Sequence, residues 1–473
     1  MPGETQSLKR VLGRTDILTF AFGTMVGWGW VILSGLWIQQ AGVIGALIAF
    51  FIGAVLCILV GLTYAELTAA LPLAGGELVF AYRAMGDGTA RFVGWVASFT
   101  YIGVAAWEGI AIATALDYMF PIPKLGYLWD VAGYSVYASW AAIGSIGALI
   151  LILINHLGAH PSAIFQVMTT SFVVLVGLIF ILGGITFGSP DYSTPTFTNL
   201  NGIIIVFLTI PSMFVGFDVI PQSAEEMNLP LRQIGRALII SIIMAALWYF
   251  LIIIGMSLSA PPEIRNSGVI PAADAMIYCY GSDFMGIIII LAGICGIMTS
   301  WNGFILGSTR IIFAMGRAKM LPPVFGKLHN KYKTPTGALI LVGSICMLAP
   351  LLGKNALLWF VNASAFGSII IYLMVAIAFL ILRKRESELK RPFKIKHPRL
   401  LGIIVIVLCI SFLFLYIISS SSIIKWPNEW LFISIWIFIG LIFTVITKKY
   451  YKDVSKEERE MLIFGEEYAR KDY

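Results

Sequence analysis

The sequence predicts an all-α integral membrane protein with twelve transmembrane helices. Three observations carry that prediction. The chain is 59% hydrophobic and 12% charged, with a mean hydropathy of +0.90, whereas soluble domains carry about 25% charged residues. Apolar runs recur along the whole length, each of roughly 20 residues and so able to cross a hydrocarbon layer of about 30 Å. The 32 Lys and Arg residues then divide sharply. With the N-terminus inside and twelve crossings, 28 fall inside, and only Lys124, Arg265, Lys354 and Lys425 fall outside. That asymmetry follows the positive-inside rule, and a single missed crossing would scramble it. The net charge of +7 therefore marks orientation in a membrane and is not a nucleic-acid patch. Both termini are expected in the cytoplasm.

The first run, 17–40, follows a short basic tail, 1–16, with no small-residue cleavage site. At its centre stands Gly23-Thr24-Met25-Val26-Gly27-Trp28-Gly29-Trp30. A helical glycine costs about 1 kcal/mol relative to alanine, so three of them at mid-depth invite two readings. One is a helix break lining a protein-enclosed cavity, as at transporter substrate sites; the other is close packing between helices. The second and third runs are 42–70 and 91–120. Glu108 lies mid-span in the third, where a carboxylate costs on the order of 3 kcal/mol. It is a candidate for proton coupling or for a substrate ammonium, and equally for a neutral acid that bonds helices together.

Runs four to six are 135–155, 162–187 and 200–226. The sixth holds an echo of the first: Ser212-Met213-Phe214-Val215-Gly216-Phe217 against Thr24-Met25-Val26-Gly27-Trp28. Pro211 precedes it and removes a backbone donor. The second copy enters the membrane from the opposite side, because an odd number of crossings separates the two. Paired interrupted helices in corresponding halves point to a transporter binding site. The remaining runs are 235–259, 284–315, 336–353, 355–382, 400–420 and 428–447. The longest outer connections are near 120–134, 188–199 and 260–283, and 383–399 is a basic inner loop. The tail 448–473 mixes charges and is expected to form a short cytoplasmic helix.

Four motifs, in order, resemble the amino acid–polyamine–organocation transporters. The first-span octet is similar to their Gly-x-x-x-Gly-x-Gly signature. Tyr64-Ala65-Glu66-Leu67 with Pro72, Gly75-Gly76 and Tyr82 resembles the end of the second span and its loop. Gly216-Phe217-Asp218 with Ala224-Glu225-Glu226, Pro230, Arg232 and Arg236-Ala237 resembles the sixth span and its loop. Ser308-Thr309-Arg310, Ala314-Met315-Gly316-Arg317, Leu321-Pro322, Phe325, His329 and Thr334-Pro335 resemble the eighth. The resemblance implies the leucine-transporter fold, with helices 1 and 6 broken. It comprises two inverted five-helix repeats, 17–187 and 200–382, and two peripheral helices over 400–447. It further implies an amino acid permease of the plasma membrane working by alternating access on amino acids or related amines.

Residue roles follow from that frame. Freed N–H groups at Val26, Gly27, Trp28 and Gly29 would cradle a carboxylate at the positive end of a half-helix. Carbonyls at Met213, Phe214 and Gly216, with Thr24, would receive an ammonium. Phe214, Phe217, Trp28 and Trp30 are candidates for the side-chain pocket. The family usually has smaller residues where the two indoles stand, which implies a smaller pocket or an aromatic beside a cation. Asp218 is expected to tie down the unwound backbone or to take part in coupling.

The coupling ion stays open between sodium and proton. Proton-coupled relatives carry a fifth-span lysine, absent from Gln166-Val167-Met168-Thr169-Thr170-Ser171-Phe172. A sodium site would use Thr299 and Ser300 with the carbonyls of Gly23 and Val26, oxygens that suit a hard cation, unless the hydroxyls bond their own helix. Glu66, Glu225 and Glu226 with Arg232, Arg236 and Arg310 form either an inner gate or a solvated rim.

Other classes have little to rest on. The histidines, His156, His160, His329 and His397, sit at or near loops with no HExxH pattern, and no nucleophile motif occurs. The cysteines, Cys57, Cys279, Cys295, Cys346 and Cys409, show no metal spacing and no disulfide framework. No enzyme, resident metal or cofactor is expected. Besides cation-coupled import, an amino acid/amine exchanger and a non-transporting nutrient sensor of the same fold remain alternatives. The only other expected partner is membrane lipid.

Overall fold

The computed structural model describes residues 8–266, 270–418, 426–451 and 454–468. Lys425, much of the 1–16 tail and the end of the 448–473 tail lie outside the described residues.

Eighteen α-helices and one β-hairpin make up the described chain. The first half holds α1 (Arg14–Met25), α2 (Gly29–Ala41), α3 (Val43–Ala70), α4 (Glu77–Met85), α5 (Asp87–Met119), β1 (Tyr127–Val131), β2 (Tyr134–Tyr137), α6 (Ala138–Leu157) and α7 (Ala159–Phe187). Then come α8 (Leu200–Phe214), α9 (Val219–Gln222), α10 (Leu231–Ser259), α11 (Pro262–Arg265), α12 (Pro271–Tyr280), α13 (Asp283–Arg317), α14 (Thr336–Leu348) and α15 (Ala356–Arg385). Last are α16 (Pro398–Ile418), α17 (Asn428–Tyr450) and α18 (Lys456–Tyr468).

Among the described residues, ten spans are long and apolar enough to cross a membrane, and the pair α1–α2, bent by 48°, adds an eleventh if it is one span. The run expected over 336–353 is helical but shorter. It is α14 followed by a 3₁₀ turn at Ala349–Leu352, where Pro350 removes a backbone donor. Large apolar side chains such as Phe51, Leu175 and Phe438 are exposed on these helices, as they must be where the surrounding solvent is hydrocarbon. The outer loop near 120–134 carries the antiparallel hairpin β1–β2, with Tyr127 opposite Tyr137.

Gly42 shows how tightly the first turn is built. Its φ is +77°, and an added Cβ would lie 2.6 Å from Phe197 Cα. Only glycine lets α2 fold back into α3 there.

The broken elements sit in the middle of the packing. α1 lies against α7, α10 and α13, α3 runs along α8 and α10, and α5 lies against α13 and α15. One end of this bundle is sealed. The N–H groups of Val11 and Leu12 both donate to the Glu226 carbonyl, at 2.8 and 2.9 Å, and Asn228 N–H donates to the Leu12 carbonyl. Arg310 grips Glu226 through two 2.9 Å bonds, and Arg317 grips Glu225 at 2.7 and 3.0 Å. Glu66 accepts from Arg383 at 2.6 Å and pairs with Arg391 at 3.2 Å. The ion pairs read as a gate or a rim are thus mostly buried, while Arg232 and Arg236 are exposed.

Candidate functional site

Two helix interruptions meet at the centre of the bundle. The first covers Val26, Gly27 and Trp28 between α1 and α2. α1 ends because Val26 (φ −97°, ψ 67°) leaves the helical region. The second covers Val215–Asp218 between α8 and α9, where Gly216 takes φ +134°. The two interruptions touch. A Cβ on Gly216 would lie 2.9 Å from Met25 N and from Thr24 C.

The freed backbone groups divide into engaged and unengaged. Of the N–H groups expected to cradle a carboxylate, that of Val26 is taken, donating to the Phe22 carbonyl at 2.8 Å because it still closes the last turn of α1, whereas those of Gly27, Trp28 and Gly29, and of Trp30 after them, have no acceptor among the described residues. They open a thirteen-residue helix, the end at which an anion is favoured. Gly27, Trp28 and Gly29 are only half-buried between the buried Val26 and Trp30, and Met213 is half-buried with Ser212 and Pro211 before it. Of the carbonyls expected to receive an ammonium, Met213 accepts from Tyr249 and Gly216 accepts from Val219 N–H, while Phe214 has no donor among the described residues. Thr24 turns its hydroxyl to the Phe20 carbonyl of its own helix at 2.5 Å.

Tyr249 on α10 is a site residue the sequence reading missed. Its hydroxyl stands 2.9 Å from the Met25 carbonyl and 3.1 Å from the Met213 carbonyl, so one proton serves a carbonyl from each break. Nothing in the local sequence marks this tyrosine among the apolar residues of its span. Tyr249→Phe should lower stability by about 1–3 kcal/mol, the cost of stranding buried acceptors. The check is the melting of the purified protein together with its uptake of labelled amino acids.

Glu108 is brought to the first break by α13. Ser300 Cβ stands 3.3 Å from the position of a Gly27 Cβ, and Ser300 and Trp107 are the polar side chains neighbouring the Glu108 carboxyl. Glu108 Oε2 has no partner among the described residues. Thr299 points elsewhere, with its hydroxyl 2.9 Å from the Gly23 carbonyl and 2.9 Å from the Gly296 carbonyl. Of the candidate sodium ligands, Thr299 thus bonds the Gly23 carbonyl, the Val26 carbonyl lies 3.5 Å from the position of a Gly296 Cβ, and Ser300 faces Gly27. Among the described residues, no group of three His, Cys, Asp or Glu side chains gathers to hold a metal.

The aromatic candidates also separate. Trp28 packs its six-membered ring on Gly293 of α13 and remains half-buried. Trp30 turns away and meets Trp248 edge-on, with ring centroids 5.4 Å apart. Phe214 lies beside Tyr249, whereas Phe217, within the second break, stacks on Tyr372 at 5.5 Å.

Asp218 ties down the unwound backbone, accepting from Gly216 N–H at 2.9 Å and from the Tyr372 hydroxyl at 3.4 Å. Glu77, at the first turn of α4, joins this cluster. It accepts from Tyr101 at 2.9 Å and from Gln222 Nε2. α4 lies outside the apolar spans. Burial, with the negative field of Asp218 second, pushes the Glu77 carboxyl up to about 8. The sequence signal for Glu77 was available, since it follows Gly75-Gly76 directly. A second missed cluster links Asn155, Ser162, Gln166 and Asn302, with Asn302 Nδ2 donating to Gln166 Oε1 at 2.8 Å. Amides are rare enough in apolar spans to have flagged it.

A family model described as amino acid permease matches residues 12–442. The chain is similar to a branched-chain amino acid permease of Bacillus subtilis (strain 168), 26% identical over 457 residues, 94% of this chain and 95% of the relative. It is similar to the methylthioribose transporter of the same organism, 24% identical over 457 residues, again 94% of this chain and 95% of the relative. It is also similar to cationic amino acid transporter 4 of Homo sapiens, 29% identical over 403 residues, 81% of this chain and 61% of the relative. These relatives are transporters, not enzymes.

Proposed function

The chain belongs to the amino acid permease family, and from that premise we propose that it imports an amino acid or related amine by cation-coupled alternating access. The observation that carries the proposal is the run of unengaged N–H groups at Gly27–Trp30 beside the second break. A substrate carboxylate is the anion of the right size for that helix start. Its ammonium would find the free Phe214 carbonyl and the Glu108 carboxyl, which Ser300 places next to Gly27. Trp28 would close the side-chain pocket. The similar proteins are named for branched-chain amino acids, cationic amino acids and methylthioribose, and only the α-amino acid head group follows from the site.

The proposal includes twelve crossings in the plasma membrane with both termini cytoplasmic, and inverted repeats over 17–187 and 200–382. The sealed end, with its Arg310–Glu226 and Arg317–Glu225 pairs, is then the cytoplasmic gate in its closed state. Coupling to a proton or to sodium fits the buried acids and hydroxyls around the breaks.

Uptake of a labelled amino-acid mixture into liposomes, under separate proton, sodium and counter-substrate gradients, tests this reading. Accumulation under a cation gradient is expected. Uptake only into liposomes loaded with amino acids would make the protein an exchanger, and neither uptake nor exchange would overturn transport. Gly27→Leu is expected to abolish binding and uptake, because its side chain would run into Ser300 and fill the cradle. Wild-type uptake by that variant would remove the carboxylate site from Gly27.

A further inference from the structure

Beyond the substrate cradle, on the gate side of the second break, the structure buries two carboxyls together. Glu77 and Asp218 are both 0% exposed. Their hydrogen-bond partners among the described residues are Tyr101, Tyr372, Gln222 and the Gly216 N–H, none of them a cation. Tyr101 joins the pair directly, with its hydroxyl 2.9 Å from Glu77 Oε1 and 3.4 Å from the Asp218 carbonyl.

The other titratable groups facing the pair are Tyr64 and, farther off, Cys57 from α3, and Tyr372 from α15. α13 packs on α4 and α9, but its Arg310 is engaged by Glu226. Arg83 of α4 pairs instead with Glu386. α1 packs on α9, and its ionisable residues, Arg14 and Asp16, lie in its first turn. Two buried carboxylates without a cation cannot both stay charged at low cost, so the pair favours holding one proton.

An orphaned polar atom suits the cluster to hold that proton. Gln222 Oε1 is buried beside Glu77 and has no partner among the described residues. A glutamine amide satisfies a carboxylate through Nε2 and a protonated carboxyl through Oε1. Turning the Gln222 amide over therefore serves Glu77 in either charge state. The loose end in the present arrangement is the acceptor that a protonated Glu77 would use.

We propose that Glu77 and Asp218 together are the site of the co-transported proton, which makes the coupling ion a proton and not sodium. This rests on the reading of the chain as a cation-coupled transporter. In the step proposed, one proton from the outer side adds to a carboxylate oxygen of the pair and leaves a neutral acid beside a carboxylate. No other bond changes. Gln222 ends the short helix α9, and the Glu225 and Glu226 ion pairs follow within four residues. Opening that gate admits water to Glu77. Hydration favours the charged carboxylate, so the proton leaves to the inner side, and the second break and the gate change state together.

The test uses the full chain in liposomes holding a trapped pH-sensitive dye, with a labelled amino-acid mixture as probe. For the wild type, an inward proton gradient should drive accumulation and acidify the lumen in step with uptake. Because Glu77 is raised to about 8, uptake should fall as the outer pH rises through that value. In Glu77→Gln, which fixes a neutral side chain of the same shape, gradient-driven accumulation and the pH dependence should be lost while counterflow exchange remains measurable. Asp218→Asn should lose proton-driven accumulation as well. Unchanged proton-driven accumulation in Glu77→Gln would overturn the proposal. So would wild-type uptake driven by sodium with no dye response, an outcome that leaves transport itself standing. If Glu77→Gln also loses counterflow, the wild-type dye response and pH profile decide. Failure of uptake and exchange in the wild type would instead overturn the transporter reading.

Discussion

Gly216→Ala should reduce uptake on the order of a hundredfold, the largest effect expected from adding a single methyl group. Two costs combine. An L residue at φ +134° is strained, which costs about 1–3 kcal/mol. The new methyl would also meet Met25 N and Thr24 C at 2.9 Å. These are backbone atoms and cannot rotate away, so the two breaks must move apart. The Tyr249 hydroxyl could then no longer reach the Met25 and Met213 carbonyls together, and the Gly216–Asp218 bond would be pulled out of line. Gly281→Ala is the matched control. It also has positive φ, +61°, but nothing lies within 4 Å of its new Cβ, so it should lose only a little stability. Uptake per reconstituted molecule is the measurement. Equal activity in the two variants would show that the breaks do not work as a unit.

Arg310→Ala should cost about 3–5 kcal/mol, the penalty for stranding a buried charge. Arg310 and Glu226 have side chains 0% and 4% exposed and share two 2.9 Å bonds. The Glu226 carbonyl also holds the Val11 and Leu12 N–H groups, so the N-terminal segment should loosen in the same variant. Two readings are expected to move together: a lower melting temperature, and faster thiol labelling of a cysteine placed at Leu12. Combining Arg310→Met with Glu226→Met should recover most of the stability, because the penalty comes from the orphaned charge and not from loss of net attraction. A double variant as unstable as Arg310→Ala would contradict that cause. Gate control should stay lost in the double variant, since two methionines hold the gate by burial alone.

The parts of this protein legible in the sequence share one property: they are written in local composition. Apolar runs must be long and continuous to cross hydrocarbon, so the spans could be read directly. The exception, 336–353, was blurred because Pro350 and a 3₁₀ turn shorten a run that is apolar throughout. The interruptions were legible too, because Gly27, Gly29, Pro211 and Gly216 cluster where they weaken a helix that would otherwise continue. Glu108 and Asp218 stood out as ionisable groups in apolar surroundings.

The sequence by itself therefore determined the class of protein, the positions of its long apolar segments, and where two of them are interrupted. Only the tertiary structure decided which groups meet at the breaks. It set Tyr249 between two carbonyls 188 residues apart in the chain, turned Trp30 onto Trp248 and away from Trp28, and sent Thr299 and Ser300 to different neighbours. It also joined Glu77 to Asp218. The physical reason is that a helix fixes only its own backbone bonds and the face each side chain occupies. Which face meets which neighbour depends on how the whole bundle packs, and that is set by small residues such as Gly216, Gly293 and Gly296 acting across long separations. The glycine octet shows both halves of this. Its composition announced a break, while its contacts left the N–H groups of Gly27 to Trp30 without acceptors among the described residues.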